Sequence, residues 1–440
     1  IMSSSSPTLS QSAFSIETLG ECVVPSPMSV AQFVEPDAHV LLHSNLADIR
    51  QYLERGEEPP AFELAGPRQM IYFNPHGLRC GIVTCGGLCP GLNDVIRALV
   101  LSLHHHYGVQ TIYGFRYGYE GLNPTCGHEP LMLTPQAVEH IGDLGGTILG
   151  TSRGPQEPAV MVSYLEQLGV SILFTIGVDG TLRGTQAISQ EAARRGMPLS
   201  VIGIPKTIDN DISFIQQSFG FVTAASEALT AIESAHVEAV GARNGVGLVK
   251  LMGRESGFIA AYTSLADSLV NFCLVPESPF DLDLFLEALR QRLELRGHAV
   301  IAVAEGAGQE LIQAAGERDA SGNAKFGDIG LFLRDQIRAH FKRLGVELNL
   351  KYIDPSYMIR SVPANAYDSA FCLMLAHNAA HAGMSGRTNM VVGSWRGEFT
   401  HVPISLATSA RRKIDPHGWL WESVLASTGQ PRTMRLESGE

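Results

Sequence analysis

Thr207, Asp209 and Asp211 are the residues whose types and spacing point most directly to chemistry. They alternate in the stretch VIGIPKTIDNDI, Val201 to Ile212. Its first half is apolar and β-branched, which suits a buried strand. Pro205 ends that strand, because proline has no N–H to donate and biases its predecessor toward extended geometry. If the chain stays extended, period two puts the hydroxyl and both carboxylates on one side. Polar groups beyond the C-terminal end of a buried strand sit where open α/β sheets bind ligands. Two acids held close can divide the labour, one for a metal and one for protons. An acidic turn is the ordinary alternative, since Asp and Asn are common turn residues.

Four glycine-bearing loops add weight to the ligand reading. They are Gly86-Gly87-Leu88-Cys89-Pro90-Gly91, Gly150-Thr151-Ser152-Arg153-Gly154-Pro155, Gly177-Val178-Asp179-Gly180-Thr181 and Met252-Gly253-Arg254-Glu255-Ser256-Gly257. Glycine lets backbone approach a phosphate closely, and helix N-termini attract anions. Asp179 lies between the strand-like run SILFTIG and a helical segment, a natural place for a Mg²⁺ carboxylate. Arg153 and Arg254 supply forks for phosphate oxygens. Neither GxxxxGK[ST] nor GxGxxG is present. Any one such loop is commonly only a turn; four of them together with TIDND are hard to read as turns alone.

The elements that must hold these loops alternate. Strands are expected at Arg79–Cys85, Thr111–Phe115, Ser171–Ile176, Val201–Ile204, Gly245–Leu251, around Phe272–Pro276, at Ala299–Glu305, Leu348–Tyr352 and Asn389–Val392. Helices are expected at Asn45–Glu54, Asn93–His106, Val160–Leu168, Thr181–Arg195, Ala224–Val240, Gly257–Ala266, Leu282–Arg296, Ile329–Leu344 and Asn365–His381, with another opening at Thr134-Pro135. Gln309–Gly327 reads as a polar loop, residues 1–75 as an extension with a disordered start, and the tail from Arg411 as less regular. Strand–helix alternation of this kind indicates βαβ units and parallel sheets.

The composition bounds the function. The chain has 440 residues, room for two domains, and is 45% hydrophobic and 17% charged, as a globular protein with a large core should be. A net charge of −12 disfavours nonspecific nucleic-acid binding. No run is apolar and long enough to span a bilayer, and the first residues lack the pattern of a secretory signal. The seven scattered cysteines show no zinc spacing and suit reduced thiols in a cytoplasm. His104 to His106 falls at a helix end, where cations suit the dipole.

In order along the chain come GGLCPGLNDVIR, GTSRGP, GVDGT, PKTIDND, SFGFVTA, MGRESGFIA, AEG and YIDPSYMIR. With these motifs the chain resembles the 6-phosphofructokinases, most closely the long branch of plants and some bacteria, from about Arg79 to His381. The resemblance implies two doubly wound α/β domains with mainly parallel sheets. Residues 76–213 would bind the phosphoryl donor, with part of 361–440 returning to them, and 214–360 would bind fructose 6-phosphate. It implies Asp209 as the base toward the sugar 1-hydroxyl and Asp179 as the Mg²⁺ ligand, with Asp211 assisting. Gly87, Arg153, Gly154, Val178, Asp179, Gly180 and Thr181 would line the donor. Thr207, Ile208, Asp209, Met252, Gly253, Arg254, Glu305, Tyr357, Met358, Ile359 and Arg360 would meet the sugar phosphate. The implied reaction is phosphoryl transfer from ATP, giving fructose 1,6-bisphosphate and ADP, by a cytoplasmic homo-oligomer, dimer or tetramer. Other readings remain for single residues: Glu305 as a helix cap, Tyr357 and Met252 as packing, Lys206 as a solvated lysine.

Four positions depart from the family pattern or divide it. Val178 stands where the family usually has glycine, and a β-branched side chain there either crowds the donor or points into the sheet. At position 180, glycine goes with ATP in this family and aspartate with pyrophosphate, because an aspartate fills and repels the α-phosphate region. Gly180 argues for ATP, whereas Lys206 also occurs in pyrophosphate users. Arg243 is offset from the arginine that short relatives place across a subunit interface, and that role is not carried over. The alternatives are a pyrophosphate-dependent enzyme and, with Val178 as its only motive, a non-catalytic regulatory subunit.

Overall fold

The computed structural model describes residues 9–312 and 326–435. Residues 1–8 of the expected disordered start, and 313–325 of the expected loop, lie outside the described residues.

Two sheets organise the chain. The larger has nine strands in the spatial order His39–Leu41, Ala61–Leu64, Glu398–Pro403, Met390–Trp395, Ser200–Pro205, Ile172–Gly177, Arg79–Thr84, Thr111–Phe115 and Leu131–Met132. Its centre, from Met390–Trp395 to Thr111–Phe115, is parallel. Ile172–Gly177 and Ser200–Pro205 are buried at every position, as strands covered on both faces must be, which is why they read as unbroken apolar runs. The smaller sheet runs Phe272–Leu274, His298–Ala304, Gly245–Leu251, Asn349–Ile353 and is parallel throughout. An α/β architecture built on mainly parallel sheets is what the alternation implied.

Helices cover both sheets. Leu92–Leu101 packs on Ala366–Met384 at one face of the large sheet, and Pro158–Leu168 pairs with Gly180–Arg194. Phe221–Val240 lies along the strand Gly245–Leu251 and packs on Phe258–Asp267. One apolar core runs from Ile82 and Ile204 in the large sheet through Phe219, Ala228 and Ala376 to Leu251 and Ala304 in the small one. The loops at the ends of the two sheets are therefore held by shared packing.

Several sequence expectations need correction. No α-helix follows Thr134-Pro135. Thr134 caps the amide of Ala137 at 3.2 Å, but only turns and a short 3-10 segment (Ile141–Asp143) follow. The chain then passes through Gly145, whose missing Cβ lets its backbone lie against the Ser361 carbonyl. The helix expected at Asn93–His106 is α-helical over Leu92–Leu101 and ends in a π-helical turn, Ser102–His106. The N-terminal stretch is woven into the fold: Glu17–Thr18 pairs with Arg387–Thr388, Val24–Pro25 with Met70–Ile71, and His39–Leu41 and Ala61–Leu64 extend the large sheet. The tail holds a regular helix, Trp419–Thr428. Gln309–Leu311 is a 3-10 turn.

Candidate active site

The strands Arg79–Thr84, Ile172–Gly177 and Ser200–Pro205 run side by side in the same direction, so their following loops meet. These loops are stitched together. The Lys206 amide donates to the Gly177 carbonyl at 3.0 Å and the Cys85 amide to Ile176 at 3.0 Å. Thr151 Oγ1 donates to the Gly86 carbonyl at 2.6 Å, and the Gly86 amide to Ser152 at 3.2 Å. Gly177 must be glycine, since a Cβ there would overlap the Thr181 side chain. Gly180, exposed at the first turn of Gly180–Arg194, has no atom within 4 Å of where its Cβ would lie. Space is open beside that helix N-terminus, which attracts anions.

Three cationic side chains converge on Gly87. A Cβ on Gly87 would lie 3.3 Å from Arg360 Nη1 and 3.7 Å from Arg153 Nη2, so both guanidinium groups flank the Gly87 backbone. Lys206, almost fully buried, donates its Nζ to the Gly87 carbonyl. Burial pulls the ammonium pKa down, and the Arg360 and Arg153 charges add to that shift. Arg360 also stacks over Tyr357 at 4.9 Å. On the small sheet, Arg254 lies over Phe326 at 4.6 Å. The loop carrying it is sewn to Glu305-Gly306: the Glu305 amide donates to Leu251 at 2.9 Å and the Gly306 amide to Gly253 at 3.0 Å. Gly253 has φ +129°, and Gly306 approaches the Arg254 carbonyl too closely for any Cβ. This explains the glycines of MGR and AEG.

Between the two sets of loops lies the TIDND segment. Thr207 Oγ1 accepts the Asp209 amide at 3.1 Å, and Ser218 Oγ donates to the Thr207 carbonyl at 2.7 Å. Asn210, at φ +54°, turns its side chain inward to accept the Ser218 amide at 3.0 Å. Ser256 Oγ reaches the Asp209 carbonyl at 3.4 Å from the opposite sheet. Asp209 Oδ1 is buried with no hydrogen-bond partner among the described residues. Burial raises the Asp209 pKa well above the ordinary carboxylate value, and the nearby Asp211 and Glu305 charges raise it further. Burial raises Asp211 and Glu305 as well. Three acids thus share a pocket that favours proton uptake. A carboxyl with a raised pKa and a free oxygen suits proton transfer.

Asp179 and Asp211 meet at one cation. Arg411 Nη2 contacts Asp179 Oδ2, and Arg411 Nη1 lies 3.3 Å from Asp211 Oδ1. Asp179 sits at φ +36°, a backbone state that persists only where its surroundings over-determine it. Among the described residues no group of three or more His, Cys, Asp or Glu side chains is placed to hold a metal. Mg²⁺, however, typically takes one or two carboxylates and completes its shell with water and substrate phosphates. Two hard oxygen donors already converging on a positive charge fit that ion. Arg411 was missed in the sequence because nothing local marks it: its partners lie more than 190 residues away.

Other expected residues fall in two groups. Ile208 and Ile359 are 5% and 1% exposed and their side chains belong to the core, leaving only backbone for a ligand. Met252 packs partly against the same core, whereas Tyr357 and Met358 are exposed at the surface. Arg153 and Gly154 lie at the exposed rim, and Thr181 is buried, its carbonyl accepting from Tyr119 Oη at 2.6 Å. Val178 packs against the cluster of Leu182, Ile212 and Val391, the inward-facing alternative for that residue. Arg243 is exposed at the start of Gly245–Leu251, at the end of the strand opposite Met252.

The sequence model of the family described as Phosphofructokinase matches residues 79–382. The chain is 46% identical over 436 residues to a protein of Borreliella burgdorferi named ATP-dependent 6-phosphofructokinase, covering 96% of this chain and 98% of the relative. A protein of the same name from Amycolatopsis methanolica is 48% identical, with 94% of each chain covered. Among solved structures, the pyrophosphate-dependent phosphofructokinase of Marinobacter aquaeolei shares the fold with a TM-score of 0.66 at 20% identity, over 82% of this chain and 97% of that one. The phosphofructokinase of Saccharomyces cerevisiae gives a TM-score of 0.62 at 20% identity, over 80% of this chain and 48% of that one. By the extent of the family match and of its relatives' likeness, this chain belongs to the phosphofructokinase family.

Proposed function

We propose that this chain is an ATP-dependent 6-phosphofructokinase that phosphorylates the 1-hydroxyl of fructose 6-phosphate, giving fructose 1,6-bisphosphate and ADP. The observation that carries this reading is the buried, unpartnered Asp209 Oδ1, on a segment that Ser256 of the small-sheet loop reaches at the Asp209 carbonyl. Asp209 accepts the proton of the sugar hydroxyl as its oxygen attacks. Burial, then the Asp211 and Glu305 charges, raise the carboxyl's proton affinity, which lowers the cost of taking the hydroxyl proton as the phosphoryl group transfers. Lys206 and Arg153 gather charge at Gly87, where the transferred phosphoryl group passes. Positioning and charge neutralisation are what phosphoryl transfer mostly needs. Asp179, assisted by Asp211, would hold Mg²⁺, which neutralises donor phosphate charge when bound. Arg254 and Arg360 hold the 6-phosphate, and Glu305 the sugar hydroxyls.

ATP is the proposed donor because Gly180 leaves its surroundings open and the relatives of 46–48% identity are named for ATP. The inward packing of Val178 removes the motive for a non-catalytic subunit. Seven free cysteines support a cytoplasmic enzyme, and among the described residues no helix is long and apolar enough to cross a membrane. Exposed Tyr367, Leu373 and Met374 on the helix Ala366–Met384 offer an apolar face to a second copy, in a dimer or tetramer. A coupled assay for fructose 1,6-bisphosphate with each donor tests the reading. Turnover with ATP supports it; turnover with pyrophosphate alone replaces it by the pyrophosphate-dependent alternative.

A further inference from the structure

Arg411 stands in the centre of the site, yet it comes from the C-terminal tail. Its backbone is fixed. Arg411 forms an antiparallel bridge with Ile212. The Arg412 amide donates to the Asp211 carbonyl at 2.8 Å, and Ser213 Oγ to the Ala410 carbonyl at 2.8 Å. Arg412 stacks over Phe258 at 4.6 Å and donates to the Ile215 carbonyl at 2.9 Å, while the Ile414 amide donates to Glu277 at 3.0 Å. From this anchored base the Arg411 side chain, a quarter exposed, extends to the two carboxylates. The anchor is backbone, whereas the charge contact is a flexible side chain that can leave without unfolding the segment.

The Asp179 oxygen engaged by Arg411 is one that a bound divalent cation needs. A guanidinium and a dication repel, so they cannot share it at contact distance. We propose that Arg411 is a resident counter-cation: it holds Asp179 and Asp211 together while no divalent ion is bound, and gives up Asp179 when one enters. The tail thereby sets the metal threshold of the enzyme, acting as a positioning element on its donor side. This rests on the reading of Asp179 as the Mg²⁺ ligand.

The test is Mn²⁺ binding to the nucleotide-free protein, followed by electron paramagnetic resonance, in wild type, Arg411→Gln, Arg411→Lys and Asp179→Asn. Removing a competing unit charge at a partly solvated site predicts about tenfold tighter Mn²⁺ binding in Arg411→Gln. Arg411→Lys, which keeps the charge, stays near wild type, and Asp179→Asn loses the metal. Unchanged or weaker binding in Arg411→Gln, with metal still lost in Asp179→Asn, overturns the counter-cation alone. Wild-type affinity in Asp179→Asn overturns the metal reading and the proposal with it. A second measurement needs no variant: phenylglyoxal modification of Arg411, read by peptide mass spectrometry, rises several-fold when Mg²⁺ saturates the wild-type enzyme. Modification that is indifferent to Mg²⁺ counts against the proposal.

Discussion

Asp209→Asn separates the catalytic role of this carboxyl from its effect on stability, and the two are predicted to move in opposite directions. The amide has the same shape and cannot accept the sugar proton. General-base catalysis contributes about 10²–10⁴ in rate, so kcat falls by that factor, a loss of about 3–5 kcal/mol in transition-state stabilisation. Affinity for fructose 6-phosphate stays within a few-fold, because Asp209 Oδ1 has no partner among the described residues to lose. Stability rises. Burial, then Asp211 and Glu305, raise the folded pKa of Asp209 above its unfolded value. A group shifted in that direction contributes stability below its unfolded pKa and loses it as pH rises through the folded one. At pH 8 the wild type therefore bears the cost of a crowded buried acid. The neutral amide escapes that cost, so its stability exceeds wild type at pH 8. The gain disappears below pH about 4, where the unfolded carboxyl is protonated too. A coupled assay for turnover and thermal unfolding across pH measure the two effects. Undiminished kcat refutes the base assignment, and a lower Tm at pH 8 refutes the electrostatic argument.

Further outcomes follow from the same geometry. Gly180→Asp is accommodated without a change in Tm, because nothing lies within 4 Å of the new Cβ, but the added charge raises the KM for ATP at least about tenfold; an unchanged KM places the donor elsewhere. Arg360→Lys loses the planar fork beside Gly87, and the KM for fructose 6-phosphate rises about tenfold with a smaller change in kcat. Glu63→Gln breaks the buried cluster in which Glu63 meets Arg68 at 3.0 Å, Arg387 at 2.5 Å and His401 at 3.3 Å. Burial raises the Glu63 pKa, but His401 and Arg387 outweigh it and bring it to about 2, against an ordinary 4.5. The depressed pKa means the contribution, about 2–3 kcal/mol, is present above pH 4.5 and fades as pH falls toward 2. Denaturant melts of wild type and Glu63→Gln should differ at pH 7 and by much less at pH 2.5; a constant gap contradicts this.

What was legible in the sequence was what is local. Ile172–Gly177 and Ser200–Pro205 announced themselves as unbroken apolar runs ending in Gly or Pro, and the glycine loops follow directly from such strands. What was not legible depends on distant partners. Arg411 acquires meaning only through its bridge to Ile212 and its pairing with Asp179. The N-terminal strands are too short to signal themselves and exist because Glu398–Pro403 and Arg387–Thr388 receive them. Thr134-Pro135 carried valid helix-start chemistry and Thr134 does cap the Ala137 amide, yet only turns and a short 3-10 segment follow. The direction of the Val178 side chain was undecidable until its neighbours in the core were known.

The central claim is that this site moves a phosphoryl group from ATP to the 1-hydroxyl of fructose 6-phosphate. Phosphorus NMR of the products, with ATP and with pyrophosphate supplied in separate reactions, tests it most directly. A new 1-phosphate resonance of fructose 1,6-bisphosphate is expected together with ADP in the ATP reaction, lost in Asp209→Asn. No product from ATP, or product formed at the wild-type rate by Asp209→Asn, contradicts it.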